Sequence, residues 1–494
     1  MTQHYRVAIL GSGFGGLGMG AELVRNDIND FVIFEKADEI GGVWRDNTYP
    51  GAACDTQAHV YCYSYFPHLR VSQMYAAGEE MLGYQKAMAN EFGLYDHIKF
   101  NSEIVEARWN DENANWELKL RDGEVYTADV FVPAWGQLNA PKIPTWPDMD
   151  KFQGETFHSA EWNHDIDLTG KKVISIGSAA SAVQYVPEIA KVVGHLEVFQ
   201  RSANYILPRE QITFTDEQLD AFEANPETFE ESRRVIHETR EAGFERTRSA
   251  SSAQGEGAAE AIAYMESVIE DPELRKKLTP DFEFGCKRIL RTSAFYPTFL
   301  RDNVTLVTEG IERFTEKGIV TADGVEHEAD VIIYGTGFYS QNFQGDLQII
   351  GRNGTTLADR WGEDDAEAYV GLTVDGFPNM FLMYGPNTNL NHNSNIAMFE
   401  IQQRHVADML KKTENIEKVS VDVRPEVLRK FNDEMQEEMK GSAYSSECSS
   451  WYKNSKGKVI NNWSGTVEEY RELAEDFNPA DFEVRSGAEV VTNA

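Results

Sequence analysis

The order of apolar and polar positions divides the chain into short apolar runs, several closed by glycine, and one long stretch that lacks them. Tyr5-Arg6-Val7-Ala8-Ile9-Leu10 reads as a strand and runs straight into Gly11. Leu17 through Val24 has helical character, and Phe31-Val32-Ile33-Phe34 predicts the next strand. A second series follows. Lys171-Lys172-Val173-Ile174-Ser175-Ile176 enters Gly177, and Leu196-Glu197-Val198-Phe199 is the strand after it. Between about Glu210 and Phe284 strand alternation disappears and Glu, Ala and Arg predominate, with Pro226, Pro272 and Pro280 punctuating expected helices. Ala128 to Gly136 has an internal counterpart at Ala329 to Gly337, although Pro133 weakens the first copy as a central strand. Asn139 to Pro147 is proline-rich and reads as a stiff linker.

These elements imply an α/β fold with two Rossmann-like dinucleotide-binding domains and a helical insertion. The expected division gives residues 1–140 and 335–494 to the first domain, the latter with the C-terminal segment. Residues 141–208, which include the linker, and 286–334 fall to the second, and 209–285 to the insertion.

With 494 residues, 41% of them hydrophobic, the chain can build two or three cores of ordinary globular type. No apolar run approaches the roughly 20 residues that cross a bilayer. The start, Met1-Thr2-Gln3-His4-Tyr5-Arg6, lacks a signal-peptide pattern, so a cytoplasmic protein is expected. The net charge of −35 repels nucleic acid and anionic membrane, and neither is an expected partner. A monomer or weak homodimer is anticipated. Cys54, Cys62, Cys286 and Cys448 form no C-x-x-C and read as reduced packing thiols. No His/Cys spacing suggests a metal.

The two turns carry the first chemistry. In Gly11-Ser12-Gly13-Phe14-Gly15-Gly16, Gly11 makes the tight turn, Gly13 lets backbone approach a pyrophosphate, and Gly16 lets helix pack on strand. Glu35 ends the next strand, 24 positions after Gly11, where an acid accepts hydrogen bonds from ribose hydroxyls. The second turn, Gly177-Ser178-Ala179-Ala180-Ser181, is degenerate, but Arg201-Ser202 again ends the following strand, 24 positions on. Arg beside a hydroxyl suits a 2′-phosphate, which a carboxylate repels. The swap of acid for base therefore assigns FAD to the first domain and NADPH to the second.

Phe152, Gly154, His158 and Trp162, spaced F-x-G-x-x-x-H-x-x-x-W, resemble the fingerprint of the Baeyer–Villiger monooxygenases, flavoenzymes that insert an oxygen atom beside a ketone carbonyl. Read alone, His158 and Trp162 are a packed pair, four apart and on one face if the segment is helical. Gly41 to Asp55 resembles the family's second signature, G-G-x-W-x-x-x-x-Y-P-G-x-x-x-D, at every defined position. Asn163 after the fingerprint and Trp135 in the first crossover depart from the family pattern. By the resemblance, Val43, Trp44, Tyr61 and Val105 contact flavin, Asp55 lies near its ring, and Ile396 offers a backbone contact. Phe284-Gly285-Cys286-Lys287-Arg288-Ile289 resembles the family segment in which Lys287 reaches the NADP phosphate and Arg288 the flavin edge. Trp451 matches a residue that contacts NADP from a mobile loop.

The resemblance implies an FAD-dependent enzyme that uses NADPH and O2 to convert a small-molecule ketone to an ester or lactone through a peroxyflavin, with Arg288 and Asp55 as catalytic residues. A related monooxygenase that oxidises nitrogen or sulfur is the alternative. A flavin reductase lacks its redox cysteine pair, and a non-catalytic NADPH sensor has no positive signal.

Overall fold

The apolar runs become buried strands of two sheets in the computed structural model, which describes residues 2–487 and 489–490. The first sheet has the order Gln348–Ile350, Ile104–Asn110, Asn115–Leu120, Val125–Pro133, Gln3–Leu10, Phe31–Phe34, Ile98–Lys99. Gln3–Leu10 pairs in parallel with both neighbours, so Val7, Ala8 and Ile9 are covered on both faces and have no exposed surface. The second sheet, entirely parallel, has the order Val304–Val307, His195–Phe199, Lys172–Ile176, Val331–Tyr334, Glu155–His158.

The internal repeat occupies the same place in both sheets. Pro133 is in register with Leu10, and Tyr334 with Ile176, so each crossover strand lies beside the strand that opens a nucleotide turn. The Val125–Pro133 strand is thus central despite its proline. Pro133 is its last residue, where a missing N–H costs the ladder least. The two crossings run side by side: Lys142 N–H donates to Gly337 O and Tyr339 N–H to Ala140 O, at 2.8 and 2.9 Å.

The stretch without strand periodicity forms helices Asp216–Ala224, Pro226–Ala242, Ser252–Val268 and Pro272–Leu278. Two of them begin on proline, whose missing N–H would be unpaired there in any case. The insertion spans both cores. Phe222 and Phe229 pack on the first, around His59, while Met265 and Leu278 join the second. Removing a side chain such as the fully buried Phe229 from water contributes roughly 1.5–3 kcal/mol. From the C-terminal half, helix Asn395–Lys412 returns to cover helix Phe14–Arg25.

The fingerprint segment is not helical: Glu155–His158 is an edge strand followed by a short 3-10 turn, so the condition under which His158 and Trp162 would share a helix face is not met. The parallel pairing of residues 155–158 with 331–334 decides this, and no local pattern encodes it. Cys286 and Cys448 are not free thiols. They form a disulfide across 162 residues, because the C-terminal segment folds back over residue 286. Cys54 and Cys62 are free and buried.

Candidate active site

The ends of the parallel strands in both sheets open on one cleft of about 1750 Å³. At its first end Gly11 has φ +94°, and a Cβ there would sit 2.7 Å from Ala134 O. At the other, Gly177 has φ +115°, and a Cβ would sit 2.3 Å from Gly335 O. The repeat seen in the sequence therefore supplies the wall against which each turn glycine is pressed. A Cβ on Gly16 would meet Gly11 O at 1.8 Å, so Gly16 serves helix packing and does not line the cleft. Helices Phe14–Arg25 and Ala182–Ile189 start at the turns without side-chain caps, leaving N–H groups and a positive dipole end toward the cleft.

Glu35 sits where the first helix begins. It accepts from Ser12 N–H and Oγ (2.9 and 2.7 Å), from Ala37 N–H (2.9 Å) and from Arg45 (3.2 Å). Burial opposes its ionisation, but the bonds from Ser12 and Ala37 prevail and hold its carboxyl below the usual range. At the second turn the corresponding strand ends in Arg201, exposed, and Ser202, whose Oγ accepts from Lys287 Nζ at 2.9 Å. Burial and the neighbouring Arg201 charge lower the Lys287 ammonium pKa. Asp281 acts on Lys287 in the opposite direction, and burial with the Arg201 charge outweighs it.

The segment Gly41–Asp55 crosses from one turn toward the other. Gly42 lies against Gly13, and Trp44 and Tyr61 meet edge to face at 5.9 Å. Gln184, on the second helix, joins the two halves: it accepts from Tyr49 OH (3.0 Å) and donates to Ala53 O (2.9 Å). Sequence reading passed over Gln184, whose only signal was its position one turn into the second helix. Between the turns, Arg288 grips Asp55 with Nε and Nη2 at 2.6–3.1 Å, across 233 residues of chain. Their side chains are 32% and 26% exposed, open to the cleft but shielded from bulk water. Burial opposes ionisation of Asp55, yet the Arg288 charge keeps its pKa low, while the carboxylate raises that of Arg288.

The residues present fit two dinucleotides. The cradle at each turn is bare backbone, and the buried Trp135 Nε1 and Gln137 Oε1 on the cleft wall have no partner among the described residues. Of the other expected residues, Val43, Val105, Ser178, Ser181 and Trp451 line the cleft. Ile396 does not: its side chain is buried in the first core and its N–H donates to Ser394 Oγ.

The fingerprint residues also lie outside the cleft lining. His158 is fully buried, its Nδ1 accepts from Ala160 N–H at 3.1 Å, and its ring meets Phe338 beside the crossover. Trp162 packs on Phe157 and Tyr185. His158→Ala is expected to slow turnover a few-fold while FAD content stays unchanged, because it loosens the crossover and removes no reacting group. Stopped-flow rates of flavin reduction and oxygenation that match the parent would remove His158 from any coupling role.

Two bare-backbone turns opening on one cleft, with a charged pair between them, define an oxidoreductase built on two dinucleotide folds. Residues 4–214 match the flavin-binding monooxygenase-like family, and a Baeyer–Villiger monooxygenase of Streptomyces coelicolor is 38% identical over 98% of this chain and 93% of its own. The chain belongs to the Baeyer–Villiger monooxygenase family. A second relative of that name, from Pseudomonas aeruginosa, is 37% identical over 97% of this chain and 91% of its own. Among solved structures, an oxidized steroid monooxygenase bound to NADP has a TM-score of 0.87 at 30% identity, covering 98% of this chain and all of that one. A closed cyclohexanone monooxygenase has a TM-score of 0.86 at 29% identity with the same coverage.

Proposed function

We propose that this protein converts ketones to esters or lactones with one atom of O2, using NADPH as reductant and FAD as resident cofactor. The bidentate Arg288–Asp55 pair, set in the cleft between the two turns, carries the reading. The balance is ketone, O2, NADPH and H⁺ giving ester, NADP⁺ and water. FAD, when bound, supplies the oxygen-activating chemistry.

The chain's own residues bind, orient and hold charge. Gly11, Gly13 and the first helix N-terminus take one pyrophosphate, and Gly177 with the second helix takes the other. Glu35 already fills its acceptor positions, so a ribose hydroxyl reaches it by replacing the longest contact, that from Arg45. Ser202, Arg201 and Lys287 take the 2′-phosphate of NADPH. Arg288 keeps a permanent positive charge beside the carbonyl oxygen as negative charge develops there. Asp55 fixes the plane of that guanidinium.

The reading is tested by turnover of a ketone panel under 18O2 with mass analysis of products. One labelled oxygen in the ester or lactone is expected. An ester without label, or oxidation confined to amines and sulfides, would overturn it.

A further inference from the structure

Between helices Pro425–Met439 and Val467–Ala474 the chain runs as a strap whose regular structure is one 3-10 turn, Ala443–Ser445. Cys448, Ser449, Ser450 and Trp451 of this strap line the cleft. Gly285 docks on it: φ is +91°, and a Cβ there would sit 3.1 Å from Ala443 Cβ. The next residue, Cys286, is bonded to Cys448, and the two after it are Lys287 and Arg288. The disulfide therefore ties the strap to the segment that carries both cleft cations.

The strap is held unevenly. Trp451 O accepts from Ser340 Oγ, Gln341 Nε2 and Asn461 Nδ2 at 3.3, 3.2 and 2.6 Å. The backbone of residues 446–450, in contrast, finds its nitrogen donors and oxygen acceptors within the strap. Ser446 N–H donates to Ala443 O, Cys448 N–H to Ser446 O, and Lys453 N–H to Ser450 O. Lys453 Nζ donates to Ser446 O and Cys448 O. Across this stretch the disulfide makes the tie to the rest of the protein.

The two sulfurs differ in surroundings. Cys286 has no exposed surface, whereas Cys448 is half-buried on the cleft wall. Lys453 Nζ lies 3.8 Å from Cys286 Sγ. An incoming thiolate thus meets Cys448, and Cys286 leaves as a thiolate beside an ammonium that stabilises it. The second thiol of a dithiol reductant then releases Cys448. In sum the protein takes up two electrons and two protons, and the dithiol becomes a disulfide. Hydrogen peroxide reverses the change: two thiols and one peroxide give the disulfide and two waters.

We propose that Cys286–Cys448 is a redox latch on the cleft. Closed, it holds residues 446–450 beside Lys287 and retains the nicotinamide dinucleotide. Reduction by a dithiol frees them and lets the dinucleotide exchange. The identity of the retained ligand rests on the proposed function.

The test uses the FAD holoenzyme in its disulfide form and after dithiothreitol, with Cys286 and Cys448 followed by alkylation and peptide mass. Stopped flow reads NADP⁺ dissociation, and hydrogen exchange reads the backbone of residues 440–453. Reduction is expected to raise the NADP⁺ dissociation rate at least about tenfold and to speed exchange in that segment, and hydrogen peroxide to restore both. Cys448→Ser is expected to match the reduced enzyme and to ignore dithiothreitol; if that variant does not fold, the two redox states of the parent still decide. An unchanged NADP⁺ rate with both thiols free overturns the latch, because a bond that only staples the fold lowers Tm and leaves that rate alone. A bond that dithiothreitol cannot open in the folded holoenzyme, or that peroxide cannot close, overturns it too. Ester formation in any of these cases leaves the proposed function standing. If neither form binds NADP⁺, the nicotinamide reading fails and hydrogen exchange decides the latch: faster exchange on reduction upholds it, and equal exchange overturns it.

Discussion

Arg288→Ala is expected to retain FAD and to be reduced by NADPH, yet to form ester about 100–1,000-fold more slowly and to release hydrogen peroxide instead. The reason lies in the charge the reaction develops. Attack on a ketone carbonyl by a deprotonated oxygen nucleophile puts negative charge on the carbonyl oxygen, and only a permanent cation meets it at every working pH. Arg288 provides one, with its pKa raised further by the Asp55 carboxylate, and its planar fork is fixed by that same carboxylate at 2.6–3.1 Å. Loss of one such donor typically costs about 2.7–4 kcal/mol of transition-state stabilisation. The substitution also strands Asp55, so Arg288→Lys is the necessary companion. It restores charge without the fork and should recover part of the rate. Near-normal ester formation by Arg288→Ala, measured as product per NADPH, would place the essential charge elsewhere.

Cofactor choice is the second large effect. Arg201 and Lys287 flank Ser202, with Lys287 Nζ 2.9 Å from its Oγ. A 2′-phosphate placed there gains two charge-assisted hydrogen bonds that NADH cannot make. Each is worth about 1.5–3 kcal/mol, reduced for the exposed Arg201 by solvent screening. Arg201→Ala should therefore lower kcat/KM for NADPH relative to NADH by about tenfold, and the double variant with Lys287→Ala by about 100-fold. The effect should shrink as salt is raised, since part of it is screened Coulomb attraction. Equal losses with NADPH and NADH would show that the pair does not read the phosphate.

Much of this arrangement was legible because it depends on short-range chemistry. The turn glycines, the acid ending one strand and the base ending the other follow a local spacing, and the structure puts Gly11 and Gly177 at tight positive-φ turns as that spacing requires. The echo between residues 128–136 and 329–337 was equally visible, and its meaning is physical: each copy is the wall behind a turn glycine. What the sequence concealed depends on chain return. Nothing near residue 158 says that Val331–Tyr334 will pair with it and make the segment a strand. Nothing near Cys286 announces Cys448, and the Asp55–Arg288 pair was readable through the family motifs and not through spacing. Helix Pro226–Ala242 likewise looks like any charged surface helix until Gln57 and His392 are brought against its Arg240.

The return of helix Asn395–Lys412 onto helix Phe14–Arg25 has a consequence for synthesis on the ribosome. The strands of the first sheet up to Pro133 emerge early, but the helix that covers Phe14–Arg25 emerges roughly 260 residues later, at about 5–20 residues per second, so the wait is on the order of 10–50 s. During that interval the nascent chain exposes the apolar side of its first helix, and Gln403 has not yet arrived to donate to Tyr63 OH. Nascent chains paused before residue 395 should thus be the species that chaperones hold and proteases cut.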